Sequence, residues 1–167
     1  MRWLLRVLIV LVAAVAVVAI VGWRLPVGHV VSRSVIVPAA PDVVYARISD
    51  VPSYPQWWSE VTRVETLPPV DGRPRYREHM SMGPVVFEIV EATPPGWFVS
   101  RIADPDQPFG GTWAFELSAE GAGTRVRLTE RGEVYNPVFR FLSRFVFSQS
   151  ATVESFLAAL TRSVTAQ

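Results

Sequence analysis

The sequence predicts an α+β protein in which a curved antiparallel sheet of about seven strands wraps around a long C-terminal helix, preceded by one transmembrane helix. Three observations predict this fold class. Residues 7–23 carry no charge. Residues 61–134 place apolar side chains with a period of two, between turn sequences rich in Pro and Gly, as antiparallel strands do. From residue 136 onward the period becomes helical.

The uncharged N-terminal segment is long enough to cross a membrane. As a helix, its seventeen residues span roughly 26 Å, close to a bilayer core of about 30 Å. Trp3 and Trp23 flank it, where interfacial aromatic residues are common. We therefore predict a transmembrane anchor over residues 1–24. A cleaved signal peptide is the alternative, because residues 14–16 (AVA) could serve as a cleavage site, although apolar sequence continues to Gly22.

The charges around this segment indicate its orientation by a narrow margin only. Arg2 and Arg6 precede it and Arg24 and Arg33 follow it, so the positive-inside rule favours a cytoplasmic N-terminus and a domain outside. Without the first three of its sixteen Arg, the chain has thirteen Arg and fifteen acidic residues from residue 25 onward, a net charge of −2. That balance argues against a nucleic-acid partner. The chain has no Cys, which excludes disulfides and thiolate metal sites.

The part that follows the anchor begins with a tether and continues as one domain. We predict the tether over residues 25–32 and the domain over residues 33–167. The β-branched run RSVIV predicts a strand that stops at Pro38. Pro41, followed by Asp42, predicts the start of a helix. The sequence PSYPQWWSEV then predicts a short helical turn.

Six further strands are predicted, at residues 61–67, 75–82, 85–92, 98–102, 112–117 and 124–134. Short strands in series through tight turns indicate an antiparallel meander. Alternation assigns their faces, so Trp113, Phe115 and Leu117 share one face of their strand. The same rule groups four residues of another strand on one face: Tyr76, Glu78, Met80 and Met82.

The C-terminal region is predicted to be one long helix. Asn136 followed by Pro137 provides a capping residue and a first helical position. One stripe then follows the helical period: Phe141, Phe145, Gln149, Thr152, Val153, Phe156, Leu157 and Leu160. The helix would be about thirty residues long, and SQSAT is its least helix-favouring part, so a bend is predicted there. The stripe is expected to pack against the apolar face of the sheet.

Four segments follow one another along the chain: SVIVPAAPDVVYARISDVPSYPQWWSEV, EATPPGWFVSRI, GTWAFEL and GAGTRVRLTERGEV. In this order, over residues 33–164, they resemble the START-like helix-grip superfamily (SRPBCC), in its polyketide cyclase/dehydrase-like branch. No single motif is specific. The resemblance implies a deep cavity between the sheet and the terminal helix that takes up lipids, sterols, polyketides or other apolar molecules. Some members of the family are cyclases, and many have no known reaction.

The leading functional hypothesis is therefore a membrane-tethered protein that holds a hydrophobic small molecule or lipid in such a cavity. Ten residues are its candidate lining: Trp58, Tyr76, Met80, Met82, Phe87, Trp113, Phe115, Phe145, Gln149 and Phe156. They combine methionines, aromatic rings and isolated polar groups, which is the usual composition of a small-molecule pocket. Gln149 could equally bond the backbone of the preceding turn.

An enzyme of the aromatase, cyclase or dehydratase type is the second hypothesis. Glu78 or Glu130, paired with Arg101, would then supply acid–base chemistry inside the cavity. A surface or sheet-edge ion pair is the alternative for these residues, because exposed strand faces are normally charged. A third hypothesis is a structural or interaction role, with a filled core and no cavity.

Neither a cofactor nor a metal is expected. The chain has no G-x-S-x-G, Walker A or dinucleotide-binding glycine motif. His29 and His79 are its two histidines, and His29 is assigned to the tether, so a shared metal site is not predicted.

The adjacent Trp57 and Trp58 are expected to have different roles. On a short helix, neighbouring side chains point about 100° apart. Trp57 is predicted to pack between the first helices and the sheet. That leaves Trp58 for the cavity mouth or the solvent.

Overall fold

The computed structural model describes residues 2–165, which form five α-helices and seven strands. The helices are α1 (Arg2–Arg24), α2 (Pro41–Ser49), α3 (Tyr54–Trp57), α4 (Pro137–Phe145) and α5 (Ala151–Thr165). The strands are β1 (Gly28–Val37), β2 (Val61–Val70), β3 (Arg73–Met80), β4 (Gly83–Thr93), β5 (Trp97–Ile102), β6 (Phe109–Glu120) and β7 (Gly123–Val134). A single 3-10 turn, Val51–Ser53, joins α2 to α3.

All seven strands form one antiparallel sheet in the order β1-β7-β6-β5-β4-β3-β2. Strands β2 to β7 are a meander, as the turn sequences predict, and β1 pairs with β7 at one edge. Helices α2, α3 and α5 cover one face, here called the inner face. The fold class predicted from the sequence is confirmed.

Strand β1 begins earlier than the sequence suggests. It pairs with β7 from Gly28 onward, so residues 28–32, predicted as tether, belong to the sheet. The physical reason is the length of β7, whose twelve residues offer backbone partners beyond the β-branched run of β1. Only residues 25–27 separate α1 from the sheet.

The predicted long C-terminal helix is instead two helices. Helix α4 ends at Phe145 and α5 begins at Ala151. The break contains SQS, where local hydrogen bonds replace the helical ladder: the hydroxyls of Ser148 and Ser150 lie 3.2 Å apart, and the backbone N–H of Phe147 donates to the carbonyl of Leu142. Helix α5 packs on the inner face of the sheet, whereas α4 packs mainly on α1 and contacts only β7 of the sheet.

Helix α1 has the length and composition of a membrane span. Its most apolar 18-residue window has a mean hydropathy of 3.1, and none of that window is buried within the protein. A signal sequence has the same properties. A core helix of a water-soluble domain would be covered by other elements, which most of α1 is not.

The C-terminal end of α1 is held by one buried guanidinium group. Arg140 of α4 donates hydrogen bonds to four backbone carbonyls: those of Gly22 (3.2 Å), Leu25 (3.1 Å), Val134 (2.9 Å) and Tyr135 (3.0 Å). These carbonyls belong to the end of α1, the link that follows it, and the end of β7. A guanidinium has five N–H donors and no acceptor, so it suits a site made of carbonyl oxygens. Arg140 thus fixes α1 to the sheet.

Close helix packing supports the same junction. Gly22 is buried, and a Cβ at this position would lie 1.9 Å from the carbonyl oxygen of Pro137 and 3.4 Å from Cβ of Phe141. Val18 and Ala19, one turn earlier on α1, are also partly shielded. The absence of a side chain at Gly22 therefore allows α4 to lie directly against the last turns of α1.

We expect Arg140→Met to lower the free energy of unfolding by about 2–4 kcal/mol, because four carbonyls lose a charged donor and some become buried without a partner. The midpoint of thermal unfolding of the detergent-solubilised full chain should fall by about 5–10 °C. Arg144→Met, on the exposed side of the same helix, is the matched control and should change the free energy by less than about 0.5 kcal/mol. Equal midpoints for the two variants would contradict this role.

Candidate functional site

Glu78 is a buried carboxylate on the inner face. Tyr76 and Glu78 share one face of β3, as the alternation predicts; this is the inner face, and both residues are buried. Its cross-strand neighbours are Val64 and Val85. Desolvation by these surroundings raises the pKa of Glu78 to about 8. The group is therefore predominantly neutral at neutral pH.

Two phenol groups lie near Glu78. Tyr54 of α3 donates a hydrogen bond of 2.7 Å to the carbonyl of Ile48. Burial raises the pKa of Tyr54 well above its usual value, with smaller contributions from Tyr76 and Glu78. Tyr76 stacks on Phe87 with ring centroids 5.4 Å apart, and burial raises its pKa as well. All three groups are thus uncharged in the folded protein at neutral pH.

Glu130 forms a second polar centre on the inner face. Trp113, its cross-strand neighbour, donates an indole hydrogen bond of 2.9 Å to Oε2. Nε2 of His29 lies 3.2 Å from Oε1. Both the imidazole and the carboxylate are mostly buried. The β7 residue opposite His29 is Gly132, where a Cβ would lie 2.3 Å from Cε1 of the imidazole, so the glycine makes room for the ring.

His29 is not among the site residues predicted from the sequence, because the predicted tether includes it. The signal that could have found it is the alternation in HVVSRSVIV, which continues the β-strand period back to His29. His29 and Val31 then fall on the same face of β1, and Val31 is buried.

Arg101 does not pair with Glu78 or Glu130, so this prediction is wrong. The inward residues of β5 are Phe98 and Ser100, and Arg101 points to the outer face. There it donates a hydrogen bond to Glu88, its cross-strand neighbour on β4. The strand register places the two residues opposite each other. This ion pair on the charged outer face agrees with the alternative given above, a surface or sheet-edge pair.

Aromatic rings fill much of the space between the inner face and α5. Phe156 of α5 lies at their centre, and its ring centroid is 5.0 Å from Trp58, 5.5 Å from Trp113 and 5.3 Å from Phe115. The contacts with the two tryptophans are edge-to-face, and such contacts stabilise the fold beyond simple area burial. The indole N–H of Trp58 donates to the hydroxyl of Ser155 at 3.2 Å. These rings occupy the core of the region where a deep cavity was predicted.

The predicted division between the two tryptophans is wrong. Trp58 is only 3% exposed, whereas Trp57 is partly exposed. The reason is that α3 ends at Trp57 and Trp58 has an extended backbone, with φ −116° and ψ 103°. The chain thus turns the second indole inward. Trp57 still packs, on Tyr54 at 5.0 Å and on Phe156 at 5.3 Å.

The ten candidate lining residues separate into three groups. Four are buried in the core: Trp58, Tyr76, Phe115 and Phe156. Three are partly exposed and pack against it: Met80, Phe87 and Trp113. Three lie elsewhere: Met82, Phe145 and Gln149.

The last group contradicts the prediction for physical reasons that sequence alternation does not capture. Met82 is 85% exposed because β3 ends at Met80 and the chain turns at Gly83, whose φ is 111°. Phe145 is 60% exposed because α4 packs on α1 rather than on the sheet. Gln149 lies in the break between α4 and α5.

Two clefts lie outside the aromatic core. One, of about 380 Å³, lies at the junction and is lined by residues 25–30, Val134, Arg140, Ser143, Arg144 and Gln149. It therefore includes His29. The other, of about 480 Å³, is a shallow groove on the outer face, and charged residues such as Arg63, Glu65 and Arg77 line it. Within residues 2–165, no group of three or more His, Asp or Glu side chains could hold a metal ion.

Solved structures share this arrangement of sheet and C-terminal helix. The protein TTHA0849 from Thermus thermophilus is 26% identical with a TM-score of 0.69, over 83% of this chain and 98% of that chain. A START superfamily protein from Mycobacterium smegmatis is 22% identical with a TM-score of 0.68, over the same shares of the two chains. The Zhui aromatase/cyclase from a Streptomyces species is 16% identical with a TM-score of 0.65, over 83% of this chain and 94% of that chain.

The architecture and its inner face thus define a START-like protein with the helix-grip fold. A family model described as polyketide cyclase / dehydrase and lipid transport matches residues 28–165, and the chain belongs to that family. A search of proteins with curated functions gave no match.

We expect Trp58→Ala to lower the free energy of unfolding by about 3–5 kcal/mol, because it removes the ring that joins α3 to α5 and β6. Trp57→Ala, the matched control, should cost about half as much, since that ring is partly exposed. Denaturant unfolding of the full chain in detergent, followed by far-UV circular dichroism, measures both. Equal losses of unfolding free energy, or a larger loss for Trp57→Ala, would show that the two residues do not differ in stability as their burial predicts.

The stability of the protein should fall as pH rises, through Glu78. In the unfolded chain the pKa of this carboxyl is near 4.5, and in the folded protein it is about 8. Between these values the folded state binds the extra proton, so each pH unit removes up to about 1.4 kcal/mol of stability. Below the pKa of the unfolded chain, Glu78 is protonated in both states, so the stability does not change with pH through this group.

Glu78→Gln removes this dependence. Its free energy of unfolding, relative to that of the natural protein, should rise between pH 5 and pH 8, within the window set by the Glu78 pKa. Glu116→Gln, on the exposed face of β6, is the control and should change stability equally at each pH. Parallel curves for Glu78→Gln and the natural protein would rule out the raised pKa.

Proposed function

We propose that the protein binds a hydrophobic small molecule or lipid at the inner face of the sheet, and that α1 holds it at a membrane. The observation that carries the binding site is the Glu130 centre. A carboxylate held by Trp113 and His29 lies on a largely apolar face, and such sites combine apolar walls with a few fixed polar groups.

The neighbouring inner face supports this site. Phe87, Ile89 and Trp113 are partly exposed there, although they pack against the buried core. Phe87 and Ile89 pair across the sheet with Ile102 and Ser100, and Ser100 pairs with Trp113. The apolar side chains among them therefore lie at neighbouring positions of the sheet around the buried Ser100, and this row ends at Glu130. An apolar ligand would bury this surface, and its polar end would meet the imidazole and the carboxylate.

The membrane attachment rests on α1. Its length and its mean hydropathy of 3.1 suit a span, and most of its surface has no protein partner. A lipid-soluble ligand is concentrated in membranes, so attachment there would place the site next to its ligand supply.

Native mass spectrometry of the full chain, extracted from membranes in mild detergent without delipidation, tests the binding. We expect an adduct that organic solvent removes and that a fluorescent fatty acid replaces. Phe87→Ala should weaken binding of that probe by about tenfold, through lost apolar contact. Ile36→Ala, an exposed position on the outer face of β1, should leave binding unchanged.

Absence of both the adduct and the uptake would refute the proposal. Equal loss of binding in the two variants, with unchanged unfolding midpoints, would place the ligand elsewhere on the protein.

A catalytic role is the second candidate, and the contact between His29 and Glu130 favours it. A carboxylate that orients an imidazole is a general arrangement for proton transfer, and one protein of similar fold is an aromatase/cyclase. Incubation of the protein with its co-purified compound separates the two roles. Recovery of the compound with unchanged mass supports binding alone. A mass change that His29→Gln abolishes, while binding of the compound persists, supports catalysis.

A further inference from the structure

We propose that α4 and the two residues after it form a second membrane contact, immersed in the interfacial region of the phospholipid bilayer that α1 crosses. This inference rests on the proposed membrane attachment of α1 and is independent of ligand binding. It follows from where α4 lies, from what it exposes and from the charges beside it.

The position of α4 follows from its packing on α1. Pro137, the first residue of α4, lies against Gly22, and the shielded stripe on α1 continues back to Ala19 and Val18. The later residues of α4 therefore lie beside earlier turns of α1. The nine residues of α4 form a helix about 13 Å long. If α1 spans the membrane, α4 must enter the same interface.

The surface of α4 suits that environment. Large apolar side chains are exposed on it and directly after it: Val138, Phe139, Phe145, Val146 and Phe147. An apolar cluster of this kind on a water-exposed surface would be unfavourable. Arg140 of the same helix instead points toward the protein and is buried at the junction. Helices that lie in a membrane interface have this division between an apolar and a polar face.

The flanking cations fit phospholipid headgroups. Arg24 lies over the ring of Trp23, 5.9 Å from its centroid, at the end of α1. Arg144 is exposed on α4. Trp and Arg side chains at the end of a membrane-spanning helix commonly anchor a protein in the headgroup region of the bilayer. The apolar side chains of α4 would then contact the acyl chains below.

This arrangement places the junction cleft at the membrane surface. The cleft includes His29 and is bordered by Arg140, Ser143 and Arg144 of α4. A ligand that leaves the bilayer beside α4 would reach the Glu130 centre through this cleft without crossing water.

Site-directed labelling tests the immersion of α4. The natural chain has no Cys, so one introduced cysteine gives one labelled site. Phe139→Cys and Phe147→Cys of the full chain carry an environment-sensitive fluorophore in vesicles of phosphatidylcholine with a minor share of phosphatidylglycerol. Val12→Cys on α1 is the positive control, and Met82→Cys in the exposed β3–β4 turn is the negative control.

We expect lipids that carry a nitroxide near the headgroup to quench the labels at 139 and 147 at least about threefold more than the label at 82. Lipids that carry the nitroxide deep in the acyl chain should quench the label at 12, near the middle of α1. Aqueous iodide should show the opposite order. If the label at 12 is quenched by lipid but those at 139 and 147 behave as at 82, α4 lies outside the bilayer and the inference is wrong. If the label at 12 is not quenched either, the membrane attachment itself fails, and the inference with it. Native mass spectrometry of the same variants reports ligand binding separately.

Discussion

The hydrogen bonds of Arg140 to four backbone carbonyls determine how the rest of the structure is arranged. They hold the end of α1, the end of β7 and the first turn of α4 at one point. Because α4 packs on α1, it does not cover the inner face of the sheet. Helices α2, α3 and α5 cover the inner face without it, and some apolar side chains of that face stay partly exposed. The openness of the proposed binding surface is thus a consequence of the junction.

The inner face combines two carboxylates in different environments. Glu78 is surrounded by apolar side chains and phenols, and burial raises its pKa to about 8, so it behaves as a neutral group at physiological pH. Glu130 instead accepts a hydrogen bond from Trp113 and lies beside His29. The first carboxyl is enclosed by the core, whereas the second lies where the core ends. The second is the more accessible of the two, which is why the proposed site centres on it.

The sequence predicted those features that depend on local periodicity. Alternation identified the strands and the shared face of Tyr76 and Glu78, and the order of segments identified the family. Two of the errors occur where a residue's partner is distant in sequence. Phe145 faces away from the sheet because α1 takes α4 as its partner, and Arg101 pairs with Glu88 because of the strand register. Trp58 turns inward because of one extended residue after a short helix. Periodicity contains none of this information.

The link between α1 and β1 has a consequence for how far the domain can travel. Three residues, 25–27, separate the two elements, and even fully extended they cover only about 10 Å. Arg140 removes most of that freedom by bonding the carbonyl of Leu25. With α1 in a bilayer, the domain can move only slightly away from the membrane surface, and its orientation relative to that surface is fixed. It could exchange ligand with the membrane beneath it, but it could not ferry cargo across a gap. Any second membrane or carrier would have to come to the protein.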